Sequence, residues 1–296
     1  MQFGHLDDIS GIDFTLPPDH PLTSTFLPGH PPAHPLEVFI GVPRWTIPEW
    51  KGTLYPKGTK DPLSQYVQLL NGIELNTTHY RIPKKELVLQ WKAKAGNRDF
   101  LFSPKFPQSV SHRKAWQATG EWADLFFNNL LLLEEHLGHS FMQLPPYAGV
   151  DRMASLIQFI QDKPRVFPMG IELRHESWFM DQAPTDELFH AMHEQQVIPV
   201  FSDVSGRRDV LHMCVPTKEV MVRFVGNNLH VTDHSRIDDW VERLQQWHKM
   251  GLERVYLFVH QHDDGLLQET VNLFVDRLND QLQLQLPTLT PPQQTG

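Results

Sequence analysis

The chain has 296 residues, 40% of them hydrophobic and 21% charged, with a formal net charge of -9. That is apolar material enough for a sizeable core, and the acidic balance disfavours a generic nucleic-acid binder. A single cysteine, Cys214, excludes an intrachain disulfide and points to a reducing compartment.

The opening residues are acidic where a secretory signal is basic, and no apolar run approaches the roughly 20 residues of a membrane span. A cytoplasmic location without membrane contact is expected. Residues 1–36 carry Pro17, Pro18, Pro21, Pro28, Pro31, Pro32 and Pro35, which exclude regular helix and central strand. They read as an arm laid against the body.

From residue 37 the pattern alternates between two periods. Short apolar runs recur at 38–42, 72–76, 100–105, 140–144, 169–174, 197–202, 220–225 and 255–260. The first helical stretch sets Leu63, Tyr66, Val67 and Leu70 on one face behind an Asp61-Pro62 cap. Leu87 with Trp91, and then Trp122 through Leu133, supply the next two helices. Met153, Leu156, Ile157 and Ile160 follow Asp151, and Leu188 pairs with Met192. Between 203 and 215 no amphipathic helix is legible. Ile237, Trp240, Val241 and Leu244 follow Ser235, and Leu267, Val271, Phe274, Val275 and Leu278 form the last helix. Eight strands alternating with helices predict an α/β fold, a parallel (β/α)8 TIM barrel over 37–282, with a loose tail over 283–296.

Strand parity locates the polar residues. With the large aliphatic side chains turned to the helices, Glu74, Asn76, Lys105, Gln143, Glu172, Arg174, Arg223 and His260 face inward. On the sixth strand the same count turns Asp203 inward with Phe201. These residues cluster at strand C-terminal ends, where barrel sites form. A purely structural interior is filled by Val, Ile and Leu, so the set predicts a site, although a buried ion-pair network has the same composition.

Four motifs in order resemble the YecE-like family, a barrel family of unassigned function. They are Glu74-Leu-Asn76-Thr-Thr-His-Tyr80-Arg81-Ile-Pro83, Lys105-Phe-Pro107, Gln143-Leu-Pro-Pro146 and Glu172-Leu-Arg174-His175-Glu-Ser177-Trp178. The resemblance spans about residues 38–278. It implies the barrel and marks Glu74, Asn76, Tyr80, Arg81, Lys105, Gln143, Glu172, Arg174, His175 and Trp178 as shared positions, and it implies no reaction. The sequence departs from the family pattern at Arg44-Trp45, at His79, at Val225-Gly226 and at His260-Gln261-His262.

The chemistry expected is acid–base catalysis on a small phosphorylated or carboxylated molecule. Glu74, Glu172, His175, Lys105 and Asp203 are the candidate catalytic groups. Arg44, Arg174 and Arg223 suit anion oxygens, and Trp45, Tyr80 and Trp178 suit a flat ligand. Asn76, Arg81, Gln143 and His260 complete the binding set. Lys105 also suits Schiff-base chemistry. Two rivals stand beside this reading. One is a non-catalytic module for a metabolite or a nucleic-acid end; the other is a metal-dependent hydrolase or isomerase using Glu74, Glu172, Asp203 and His260. No HExxH, CxxC, phosphate-loop or dinucleotide motif is present; the single HxH spacing, His260-Gln261-His262, is the local argument for the metal reading, and the sequence assigns no cofactor or metal site.

Overall fold

The computed structural model describes residues 4–180 and 182–291. Helix α1 (Thr23–Phe26) precedes strand β1 (Glu37–Gly41); α2 (Pro62–Leu69) leads to β2 (Gly72–Leu75), and α3 (Lys85–Ala95) to β3 (Leu101–Pro104). Helices α4 (Gln108–Ser111) and α5 (Glu121–Leu130) lie before β4 (Ser140–Gln143), and α6 (Met153–Asp162) lies before β5 (Met169–Glu172). Then follow α7 (Ser177–Met180), α8 (Gln182–Glu194), β6 (Ile198–Asp203) and β7 (Glu219–Val225). Helix α9 (Val231–Met250), β8 (Arg254–His260) and α10 (Leu267–Leu282) complete the order.

The Asp61-Pro62 signal starts α2 as the sequence predicts: Asp61 accepts from the Ser64 backbone N–H, and Pro62 needs no donor at that position. Helix α9 begins four residues before Ser235, at Val231, because the His230 side chain accepts from Thr232 N–H and caps it.

All strand pairs are parallel. Six strands form one sheet in the order β1-β8-β7-β6-β5-β4, and β2 pairs with β3. The two sheets meet in a barrel-like arrangement through sparser contacts. Between β3 and β4, Phe106 N–H donates to Phe141 O (2.9 Å) and Gly138 N–H to Phe102 O (2.9 Å). Between β1 and β2, side chains replace the ladder: Asn71 accepts from Ile40 N–H and donates to Val38 O, both at 2.8 Å. Gly41 permits this approach, since a Cβ there would lie 2.0 Å from the Gly72 carbonyl oxygen.

Two apolar layers result. Phe39, Leu101, Phe141, Ile198, Val200, Met221, Tyr256 and Phe258 pack inside the strands. The larger cluster, including Ile73, Leu75, Leu173, Val222 and Leu257, lies between strands and helices. Among the described residues no helix is long and apolar enough to cross a membrane.

The connection from β6 to β7 has only a 3-10 turn, Arg208–Val210. The arm fills the gap. Thr23 on α1 donates its hydroxyl to Met213 O and accepts from Val215 N–H, while Phe26 stacks on His193 of α8. On the other side Asp19 accepts from Arg243 and Trp247 of α9. The arm therefore sits between the two helices that a β6–β7 crossover helix would separate, and its burial replaces the missing amphipathic face.

The tail differs from the loose segment expected from its composition. Asn279 and Asn272, two turns apart on α10, grip Leu286 and Leu289 through both backbone N–H and C=O. Leu289 is 1% exposed. Residues 292–296 lie outside the described residues. Leu289→Asp is expected to lower stability by about 2 kcal/mol, the scale of burying one leucine side chain, and a urea titration reads it as a lower midpoint at unchanged slope.

Candidate functional site

Above the inner apolar layer the strands turn polar together. Arg223 of β7 is the centre. Its Nε and Nη2 donate to Glu74 Oε2 (2.8 Å) and Oε1 (2.9 Å), a bidentate pair with β2. Its Nη1 donates to Glu172 Oε2 of β5 (2.9 Å) and to Ser202 Oγ of β6 (3.2 Å). The guanidinium also lies over the Phe141 ring, 5.1 Å from the centroid.

The remaining carboxylate lone pairs are filled as well. Asn76 Nδ2 donates to Glu74 Oε1 (2.7 Å), and His260 Nε2 lies 3.0 Å from Glu74 Oε2. Arg174 Nε donates to Glu172 Oε1 (2.8 Å), and Gln143 Nε2 to Glu172 Oε2 (2.8 Å). Gln143 passes the chain onward by accepting from Lys105 Nζ (2.7 Å). Glu74, Glu172 and Arg223 are all buried.

Burial would push both carboxyls up, and the cations reverse this. Glu74 is held well below the usual carboxylate range by the charge of Arg223 and by the hydrogen bonds it accepts from Arg223 and His260. Glu172 is drawn down to about 2 by Arg174 and Arg223. Both are therefore ionised at neutral pH and poor proton acceptors. Burial outweighs Glu74 at His260 and lowers its pKa, so the imidazole is neutral and donates Nε2–H to the carboxylate.

Lys105 differs from the rest. Burial, and then the charge of Arg223, bring its ammonium down to about 8. Its side chain is half-buried, and Gln143 is its hydrogen-bond partner. Nearby, His79 is lowered to about 4 by burial and by Lys105; its Nδ1–H donates to Phe106 O (2.8 Å). His112 is lowered by burial, Lys105 and Arg174, and its ring centroid is 5.2 Å from that of His79.

Other expected site residues lie elsewhere. Asp203 faces the helices, not the interior, and this corrects the parity count. It accepts from Arg236 Nε (3.1 Å) and Trp240 Nε1 (2.8 Å) on α9 and pairs with Arg208. Phe201, on the same side, packs against Trp240 and Trp247. The inward residue is Ser202, aligned with Arg223 in the register. Arg44 is at the surface in an ion pair with Asp264 (3.0 Å). Trp45 packs edge-on against Trp91, and Trp178 is buried with its Nε1–H on Ala148 O (2.8 Å), so both anchor loops. His175 Nδ1 accepts from Ser177 N–H (3.1 Å) at the start of α7. Tyr80 and Arg81 are exposed on the loop after β2.

The metal set proposed from sequence does not assemble. Asp203 is on the other face, Arg223 occupies Glu74 and Glu172, and among the described residues no group of three or more His, Cys, Asp or Glu is placed to hold a metal ion.

Comparison with known proteins bears on both fold and site. A family model described as "Protein of unknown function DUF72" matches residues 39–295. The chain is 27% identical over 263 residues to the UPF0759 protein YecE of two Escherichia coli strains, covering 83% of this chain and 94% of each relative. It resembles the crystal structure of a DUF72 family protein from Enterococcus faecalis with a TM-score of 0.63 and 21% identity, over 86% of this chain and 99% of that one. A DUF72 family protein from Thermotoga maritima gives 0.58 and 20%, over 82% and 99%.

Proposed function

This chain belongs to the DUF72 family of proteins of unknown function, and on that premise we propose that its eight strands close into one (β/α)8 barrel whose strand ends bind a small anionic substrate. The observation that carries this reading is the charge balance of the interior cluster. Protonated Lys105, Arg174 and Arg223 stand against two ionised carboxylates, Glu74 and Glu172, with His260 neutral. Among these five groups the cations exceed the anions by one, and Lys105 is the cation whose hydrogen-bond partner is a neutral amide, Gln143. A phosphate or carboxylate group supplies the missing charge there.

Acid–base chemistry on such a substrate falls to Lys105, whose ammonium titrates near the working pH. Glu74 and Glu172 orient the two arginines and stay ionised. That same pinning of the carboxylates favours a second reading, a binding module without turnover. Prolonged incubation with a bound phosphorylated or carboxylated metabolite separates the two by product formation.

Sulfate, which does not titrate in this range, is the direct probe. The protein is expected to bind it more weakly as pH rises through about 8, because Lys105 then loses its charge. Lys105→Met should weaken binding by about tenfold or more, the scale of one charged hydrogen bond. Calorimetric titration at pH 6.5 and pH 9.5 checks both. Equal affinity in wild type and Lys105→Met would place any anion elsewhere.

A further inference from the structure

We propose that Lys105 is a nucleophile that forms a Schiff base with a small oxo acid, the carbonyl carbon meeting Nζ. The proposal rests on the anion-site reading and specifies its substrate class.

Lys105 N–H donates to Leu75 O (3.0 Å), and Thr78 Oγ1 donates to Lys105 O (2.7 Å), so its backbone is fixed against the end of β2. At the other end Nζ is held at 2.7 Å by the neutral Gln143 amide and not by a carboxylate. Lys163 is also buried on a neutral acceptor, Phe167 O (3.2 Å), but lies outside the polar cluster. Lys92, Lys94 and Lys218 each form an ion pair with a carboxylate, Glu134, Asp61 and Glu253 respectively. Lys105 sits in a half-buried position with the carboxylates already committed to Arg223 and Arg174. Burial beside guanidinium groups is the environment in which a lysine amine becomes nucleophilic near neutral pH, and here the titration near 8 agrees with the geometry.

The step balances without an oxidant or a second reactant. The neutral amine adds its electron pair to the carbonyl carbon, and the C–N bond forms as the π pair moves to oxygen. Proton transfer from nitrogen to that oxygen gives the carbinolamine. A further proton lets the C–O bond break, water leaves, and the iminium remains. In sum, ammonium plus carbonyl gives iminium plus water. Neutral His79 and His112, in edge-on contact in the adjoining loops, are the groups available to pass the proton.

The test is reductive trapping on the full chain. Protein is incubated with glyoxylate or pyruvate and cyanoborohydride, and adducts are mapped by peptide mass spectrometry. Lys105 is expected to label about tenfold faster than any exposed lysine, with a rate rising through pH 8 and suppressed by sulfate. Lys105→Arg should lose that adduct and keep sulfate binding. Labelling of Lys105 no faster than exposed lysines, with sulfate still bound, overturns the nucleophile and leaves the anion site standing. Absence of both sulfate binding and labelling overturns both.

Discussion

Arg223→Met is expected to cost about 3–5 kcal/mol of folding stability, the range for stranding a buried partner. Both Glu74 and Glu172 lose their central cation and remain buried, with only Asn76, His260, Gln143 and Arg174 to hold them. The pH dependence should also invert. In the wild type both carboxyls are held low, so their contribution is present above the unfolded value near 4.5 and is lost as pH falls toward about 2 at Glu172. Without Arg223, burial dominates and raises at least Glu74, so the variant gains relative stability as pH falls from 7 toward 5. Adding Glu74→Gln to Arg223→Met should recover part of the loss by removing a stranded charge. Urea titrations of the three proteins at pH 7 and pH 5 decide this. A loss under 1 kcal/mol with no pH inversion would mean that Arg223 is not the centre of the network.

Asp203→Leu is the second large effect, about 3 kcal/mol, because the fully buried Arg236 loses one of its two carboxylates and keeps only Asp233 (3.2 Å). Its consequence differs from that of Arg223→Met. Asp203 ties α9 to Arg208, and Arg208 also donates to Phe14 O and lies over the Phe14 ring. The variant should therefore release the arm to proteolysis while retaining sulfate binding at the strand ends. Loss of sulfate binding in folded Asp203→Leu protein would return Asp203 to the site.

The contrast between these two residues shows what the sequence makes legible. Glu74, Glu172 and Arg223 alternate with large aliphatic neighbours such as Ile73, Leu75, Ile171 and Val222, so a period of two separates inside from outside. Around Asp203 the strand is apolar on both faces, with Val200 inside and Phe201 outside, and the alternation carries no direction. The partners that settle it, Arg236 and Trp240, lie more than thirty residues away on α9. A count anchored on Arg223, whose register partner is Ser202, corrects the slip. The tryptophans misled for a related reason: loop position alone does not distinguish a stacking surface from an anchor, and the Trp178 Nε1–H bond to Ala148 O is a tertiary fact. The missing helix after β6 was visible as an absence of period, but what fills its place comes from residues nearly two hundred positions earlier. The tail did leave a signal, the Asn272 and Asn279 pair at two-turn spacing on α10, beneath a composition that reads as loose.

The most direct test of the cationic surplus at the strand ends is a crystal structure of the protein grown with phosphate. The ion is expected against Lys105 Nζ, with Arg223 still bridging Glu74 and Glu172. A Lys105 ammonium paired to Glu172 or Glu74, with no phosphate beside it, would contradict the anion site.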